Sequence, residues 1–425
     1  MNKAFRTKPV FLGLTHIGQI YALSWCKKIG MCSVFDFDKK NLENFKKKKF
    51  TDEEPNIKKI KFDFNKINII SNEKNIAKAE TIFFTYDTPI NINNGIANIN
   101  YVEKKLVKLL KIDFNKKVRI IITSQVYPGF TDYIKNKYLG NNNKIELIYM
   151  VDTLKMGSAI NRFLNPEQLI FGCDIKNQKF IIQFFKKFKC KKYIYSFKEA
   201  ELIKISINLY LYFAVNFSNI LDDFSKQIGA NFTNIIGSLQ NDIRIGKHAY
   251  IHPSPSISGG HLERDVFYIK KYTKNKQAKK IFQNLKKFND KKKIYLKDLL
   301  LNLKKKNKIK LLIVGISYKQ DSFSMVNSMF KEIFDDKKFD ITFYDSFFKK
   351  NKIRLMRVKQ LDDSIEKSDI VLFNYGNNND IKIIKRKFSK EKNKYLVNIS
   401  SKQKMFLNNK KNIINFFSNQ ISPIC

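Results

Sequence analysis

A chain of 425 residues is too long for one ordinary core and predicts two or three domains. Hydrophobic residues make up 43% of it, with 38 Phe and 19 Tyr, which excludes global disorder despite 28% charged residues. The 81 Lys and Arg against 38 Asp and Glu leave a formal charge of +43, but the excess is nearly all Lys, spread end to end beside abundant Asn, Ile, Phe and Tyr. These are residues with A/T-rich codons, so base composition accounts for the charge. Arg, the better phosphate and base reader, is rare, and a nucleic-acid partner is not expected. Runs such as Lys46–Lys49 and Lys304–Lys306 read as solvated loops.

Along the first 150 residues, short apolar runs alternate with amphipathic stretches. Strands are predicted at Val10–Leu12, Met31–Phe35, Thr81–Thr85, Val118–Thr123 and Ile145–Met150. Helices are predicted between them, such as Tyr101–Leu110, whose Val102, Leu106, Leu109 and Leu110 share one face. Phe11–Trp25 is apolar enough to resemble a signal segment. Thr15, His16, Gln19 and Ser24 interrupt it and no small-residue cleavage site follows, so it reads as part of the fold. From Ala200 to about Gly229 there is no Pro and apolar residues cover nearly the whole circumference. That predicts a long buried helix packed against another chain or against both domains. A Lys-rich linker is predicted near 290–308. Strands return at Lys310–Ile316, Ile341–Tyr344, Ile370–Phe373 and Tyr395–Ile399. The fold class is α/β: two Rossmann-like, doubly wound parallel-sheet domains, 1–195 and 308–425, joined by a central long-helix domain, 196–295.

No apolar run approaches the ~18 residues of a membrane helix, so no membrane partner is expected. Cysteines 26, 32, 173, 190 and 425 contain no CxxC pair. That predicts a reducing compartment, the cytoplasm, without a disulfide or zinc framework. Three of the four histidines, His248, His252 and His261, crowd one region, but without regular ligand spacing, and no metal is expected.

The first strand–helix turn reads Gly13-Leu14-Thr15-His16-Ile17-Gly18, and the next strand ends in Asp36-Phe37-Asp38. This is a dinucleotide fingerprint whose middle glycine is Thr15. Gly13 makes the tight turn, Gly18 lets helix and strand pack, and Asp36 accepts from ribose hydroxyls, with a pyrophosphate at the helix N-terminus. Gly13, Thr15, Ile17, Gly18 and Asp36 are candidate cofactor contacts. A turn that no longer holds a cofactor is the other reading. Farther on, Lys204 and Asn208 share one face of the long helix, and a buried ammonium needs a partner. The bland alternative is a Lys reaching the surface beside an Asn at a helix contact.

Further segments carry a resemblance. They are Asp87-Thr88-Pro89, Thr123 to Asp132 with Tyr127-Pro128-Gly129, Tyr149 to Ala159 running on to Asn165-Pro166-Glu167, Ala200 to Asn208, the loop Pro253–Asp265, and Gly315-Ile316-Ser317-Tyr318-Lys319. Together they resemble the UDP-glucose/GDP-mannose dehydrogenase family over nearly the whole chain. Of only 15 glycines, Gly13, Gly18, Gly129, Gly157, Gly246, Gly259, Gly260 and Gly315 fall on its motif positions. The resemblance implies NAD-dependent oxidation of a nucleotide sugar's primary alcohol to a carboxylate, a UDP-sugar foremost, by a homodimer that feeds polysaccharide synthesis. It implies Thr88 and Thr131 as further cofactor contacts and Arg244, Gly259, Gly260 and Lys319 as substrate contacts. Lys204 and Asn208 match the family's oxyanion-stabilising pair, Asp265 its water-positioning Asp, and Asp152 its acid/base Glu, one methylene shorter. Met156 replaces a second Glu, Arg264 a Lys, and Val326 an Arg expected after Asp321.

His261 occupies the position of the family's nucleophilic Cys, with no other cysteine in the segment. A thiolate adds to an aldehyde and later leaves an acyl group, which imidazole is poorly suited to do. The expectation is impaired or altered chemistry, at most a two-electron oxidation or a much weakened full reaction. Two readings of His261 stand: a general base toward the alcohol, or a residue filling a decayed pocket. A non-catalytic nucleotide-sugar-binding scaffold of the same fold is the alternative function. At Asp265 an N-cap of the following helix stands beside the catalytic role. For Arg244 a surface salt bridge stands beside a contact to a neighbouring subunit's sugar.

Overall fold

Runs in which nearly every residue is apolar have no face for solvent and become strands only where both sides are covered. Such runs open the chain, which is described here from a computed structural model over residues 8–51, 54, 57, 62–91, 96–320, 324–348, 355–403 and 410–417. The first sheet contains β1 (Val10–Leu12), β2 (Cys32–Phe35), β3 (Ile67–Ile69), β4 (Thr81–Phe84), β5 (Val118–Ile122), β6 (Ile145–Met150), β7 (Gln168–Cys173) and β8 (Lys191–Tyr195), of which β1, β2, β4 and β6 are buried at every residue. The sheet order is β3-β2-β1-β4-β5-β6-β7-β8. β1 to β6 are parallel, whereas β7 runs antiparallel to β6 and parallel to β8. Alternation splits the core in two: Phe11, Phe83, Ile121 and Ile148 face one side, and Leu12, Phe84, Ile122 and Tyr149 the other.

The second sheet contains β9 (Ile309–Val314), β10 (Phe339–Tyr344), β11 (Met356–Arg357), β12 (Ile370–Phe373), β13 (Tyr395–Asn398) and β14 (Ile413–Asn415), in the order β11-β10-β9-β12-β13-β14. All its pairings are parallel. Both sheets therefore follow the doubly wound 3-2-1-4-5-6 order over six strands, which opens a crevice at the carboxyl ends of the first and fourth.

The structure corrects the sequence reading in several places. β3, β7 and β8 of the first sheet and β11 and β14 of the second lie outside the strands expected from the sequence. β3 is a three-residue strand with Asn68 at its centre, and β8 is an edge strand carrying Lys191 and Lys192, residues that keep an unpaired edge from recruiting other chains. The expected linker at 290–308 is largely helix, the last part of Lys276–Leu303. Three of its polar residues, Asn289, Lys292 and Lys293, are buried on its inward face. Asn289 takes Ile257 N–H at 2.6 Å, and the fully buried Lys292 pairs with Asp223 at 3.2 Å. Lys on the inward face hid the helical period.

The chain divides into two compact units, Met1–Ile207 and Asn208–Cys425, so the central stretch 196–295 is shared between them. The boundary falls inside the helix Phe197–Gln227. Within the second unit this helix is not buried all round. Tyr212, Asn216, Asn219 and Asp222 face inward, while Tyr210, Phe213, Phe217, Ile220 and Phe224 are exposed.

Candidate active site

In the first unit the dinucleotide turn is built as the fingerprint requires. Gly13 has φ +104, and a Cβ on Gly18 would lie 1.7 Å from Gly13 O, so only glycine lets the helix His16–Lys28 seat against the turn. This cradle fits a dinucleotide. The side chains around it are engaged with one another. Thr15 Oγ1 donates to Thr85 O at 3.2 Å and accepts Asp87 N–H at 3.0 Å. Ile17 N–H donates to Asp87 Oδ2 at 3.2 Å. Burial raises the Asp87 carboxyl above its ordinary range, opposed by His16 and by the hydrogen bonds from Thr15 and Ile17. Asp36 is 2% exposed and accepts Leu14 N–H at 2.6 Å and Tyr86 O–H at 2.8 Å. Thr88 Oγ1 donates to Gln125 O at 2.6 Å.

Thr131 lies in the short helix Phe130–Ile134, where its N–H and hydroxyl both donate to Glu201 Oε1, at 2.8 and 2.6 Å, while Gly129 N–H donates to Glu201 Oε2 at 2.5 Å. Sequence reasoning did not single out Glu201. The available signal was an acid on an otherwise apolar helix, one turn before Lys204. Fully buried, its carboxyl is pushed up to about 7 by desolvation, against three donated hydrogen bonds. The unfolded chain loses this proton near the ordinary value of 4.5 and the folded chain near 7. Its contribution to stability is therefore complete below about pH 4.5 and lost as the pH rises toward 7. Glu201→Gln should flatten that part of the pH profile in urea-midpoint measurements from pH 4.5 to 7.5. Equal slopes for both proteins would contradict a raised Glu201.

Lys204 is half-buried and donates to the backbone carbonyl of Asp152. The Asp152 carboxylate accepts Leu154 N–H at 3.2 Å and Tyr21 O–H at 3.4 Å. Tyr21, deep in the first helix, carried no sequence signal. The following loop is tied by another unforeseen acid, buried Glu54, which accepts Gly157 N–H at 2.8 Å and Ala159 N–H at 3.3 Å.

In the second unit the candidate residues converge. Asn208 Nδ2 donates to Asp265 Oδ2 at 2.6 Å, Arg264 Nε contacts Asp265 Oδ1 at 3.3 Å, and Arg264 Nη2 meets His261 Nδ1 at 3.3 Å. Arg264 and Asp265 are 2% and 0% exposed. A guanidinium only donates, so as a hydrogen bond this contact takes His261 Nδ1 as the acceptor. The lone pair a general base would use is turned toward Arg264, which disfavours that reading of His261. The helix begins at His261 with Gly260 as its N-cap. Asp265 therefore lies a turn inside, and the N-cap alternative for it is corrected.

The loop before this helix is held by its own contacts. Gly259 N–H donates to Val326 O at 2.9 Å, and Asn327 Nδ2 donates to Ile257 O at 3.2 Å. The Lys319 ammonium lies 5.5 Å from the Tyr318 ring centre. Arg244 is exposed and paired with Asp242 at 2.6 Å. Asp321 lies outside the described residues. Among the described residues no group of three or more His, Cys, Asp or Glu is placed to hold a metal ion, and no helix is long and apolar enough to cross a membrane.

Comparison with known proteins gives a consistent result. Residues 7–189 match the NAD binding domain of the UDP-glucose/GDP-mannose dehydrogenase family, and residues 198–291 match its central domain. The chain is 24% identical over 286 residues to a UDP-N-acetyl-D-mannosamine dehydrogenase of Methanocaldococcus jannaschii, covering 65% of each. It is 27% identical over 268 residues to a UDP-glucose 6-dehydrogenase of Campylobacter jejuni, covering 61% of this chain and 66% of that one. The match thus spans just under two thirds of these relatives' lengths. In fold, the chain is similar to a UDP-glucose dehydrogenase from Pyrobaculum islandicum, with TM-score 0.81 and 16% identity over 98% of this chain and 99% of that one.

Proposed function

The chain belongs to the UDP-glucose/GDP-mannose dehydrogenase family, and from that premise we propose that it oxidises the primary alcohol of a nucleotide sugar, a UDP-sugar foremost, and stops at the two-electron stage. The Gly13–Gly18 turn would hold NAD, which would supply the hydride acceptor: the carbinol carbon would give up a hydride and the hydroxyl a proton, leaving an aldehyde, NADH and H⁺.

The chain's own residues prepare and limit that step. Lys204 and Asn208, four apart on one helix, are the proposed donors to the oxygen as it takes on alkoxide character. Asp265 orients the Asn208 amide through the 2.6 Å hydrogen bond. Arg264 in turn positions Asp265 and engages the His261 ring. Going on to a carboxylate requires a nucleophile that adds to the aldehyde and later leaves. An imidazole whose acceptor nitrogen faces a guanidinium does not provide one. The contact between Arg264 and His261 is the observation that carries this reading. The test is an assay of purified protein with UDP-sugars and NAD, counting NADH per sugar and trapping aldehyde with a hydrazine. One NADH and a trapped aldehyde are expected, whereas two NADH and a uronate would overturn the reading.

A non-catalytic nucleotide-sugar-binding scaffold is the second reading, favoured by the engagement of Thr15, Asp36 and Asp87 within the protein. Stabilisation by a UDP-sugar but not by NADH in a thermal titration would select it.

The proposed assembly is a homodimer working in the cytoplasm. Tyr210, Phe213, Phe217, Ile220 and Phe224 are spaced three and four apart on the central helix and are 39–63% exposed. Such a stripe fits a second copy of itself. The double variant Phe217→Asp, Phe224→Asp should convert a dimer to a 50.1 kDa monomer in light scattering. A mass unchanged between the two proteins would remove this stripe as the interface.

A further inference from the structure

Asp36 is the acid that the fingerprint reserves for a ribose, and its carboxylate is already full. An ionised carboxylate offers about four lone-pair sites. Leu14 N and Asn41 Nδ2 take one oxygen at 2.6 and 3.1 Å, while Tyr86 Oη and Asp38 N take the other, both at 2.8 Å. Tyr86 follows β4 and is fully buried. Its ring lies against the bare face of Gly13, where a Cβ would come within 2.9 Å of it. Its oxygen also accepts Phe37 N–H at 3.0 Å, and the Phe37 ring runs parallel to it, 1° apart in plane. At the start of the helix, Asp87 accepts Ile17 N–H. A carboxylate thus stands where a helix N-terminus would receive a phosphate.

The second unit repeats the arrangement in a turn that keeps the first glycine but not the one five residues on, Gly315-Ile316-Ser317-Tyr318-Lys319. Asp345, after β10, accepts Ile316 N–H at 3.1 Å and Tyr375 O–H at 2.7 Å. Tyr375, after β12, lies against Gly315 and accepts Ser317 N–H at 3.1 Å. A tyrosine over the glycine, bonded to the acid, is how this fold closes a turn on itself.

We infer that Tyr86, with Asp87, forms an internal seal over the dinucleotide turn that NAD must displace, which makes Tyr86 the residue that sets cofactor affinity. The inference rests on the NAD-dependent reading above. Tyr86 is a positioning residue: it acts through Asp36 and not on the reacting atoms. Tyr86→Phe keeps the ring but releases one acceptor site of Asp36, and Asp87→Asn removes the charge at the helix start.

The experiment is calorimetric titration of the full-length protein and both variants with NADH and with ADP-ribose, which lacks the nicotinamide. Each variant should bind both ligands at least about tenfold more tightly, as expected when an internal hydrogen bond to a charged group no longer competes. The KM for NAD of Tyr86→Phe should fall while kcat holds. Affinities unchanged, weakened or undetectable across all three proteins would overturn the seal, since structural damage does not tighten binding. The two readings separate cleanly. If the variants gain NADH affinity but no sugar is oxidised, the dehydrogenase reading fails and the seal stands. If the unaltered protein oxidises a UDP-sugar and Tyr86→Phe leaves the KM for NAD unmoved, the seal fails alone.

Discussion

Replacing His261 with Cys should yield two NADH per nucleotide sugar and a uronate, where the unaltered protein yields one NADH and an aldehyde. Residue 261 is the first of its helix, where aligned backbone N–H groups favour an anion. The Arg264 guanidinium, 3.3 Å from the present ring, would stand beside the sulfur. Both effects lower a thiol's pKa from its ordinary ~8.5. The resulting thiolate adds to the aldehyde to give a hemithioacetal. Loss of a second hydride turns this into a thioester, and water releases the carboxylate and returns the thiol, so atoms and electrons balance over two NAD. Uronate should rise at least about 10²-fold over the unaltered protein, the scale on which loss of a catalytic nucleophile is felt. His261→Ser, whose hydroxyl is a poor leaving group from the acyl stage, should not restore it. Silence from His261→Cys, with UDP-sugar binding intact, would show that more than the sulfur has changed.

Asp265→Leu should strongly destabilise the second unit. Arg264 and Asp265 are both almost fully buried. Removing the carboxylate takes the anionic partner from a buried guanidinium, whose Nη2 also meets His261, and takes the acceptor from Asn208 Nδ2, now 2.6 Å away. Breaking a buried pair from one side costs about 3–5 kcal/mol, mostly the desolvation of the charge left behind. Urea unfolding followed by fluorescence should show the midpoint falling accordingly. The double variant Arg264→Met, Asp265→Leu should recover most of the loss, because it removes both charges together. A single variant as stable as the unaltered protein would mean that Arg264 reaches water or another acid. Catalysis should stay lost in both variants, separating the positioning of Asn208 from stability.

Much of the site was readable as a set of residues but not as a set of contacts. Asn208 and Asp265 were matched through their motifs, 57 positions apart, and the structure joins them directly. Asp36 and Thr131 were read as waiting for a cofactor, whereas each is bonded inside the protein, to Tyr86 and to Glu201. Tyr86 sits in a run that reads simply as the end of a strand. Glu201 sits in a helix that reads as apolar. Neither residue announces its partner.

What the amino-acid sequence by itself determined is the pair of doubly wound sheets, the long central helix and the family. Strand runs, helical spacing and the positions of a few scarce glycines are local properties, set by the backbone conformation each residue accepts. What only the tertiary structure decided is which polar groups satisfy one another: Tyr86 with Asp36 across 50 residues, Glu201 with Thr131 across 70, and Lys292 with Asp223 across 69. A buried donor must find some acceptor, but which one depends on where distant segments come to rest against each other, and no local pattern encodes that.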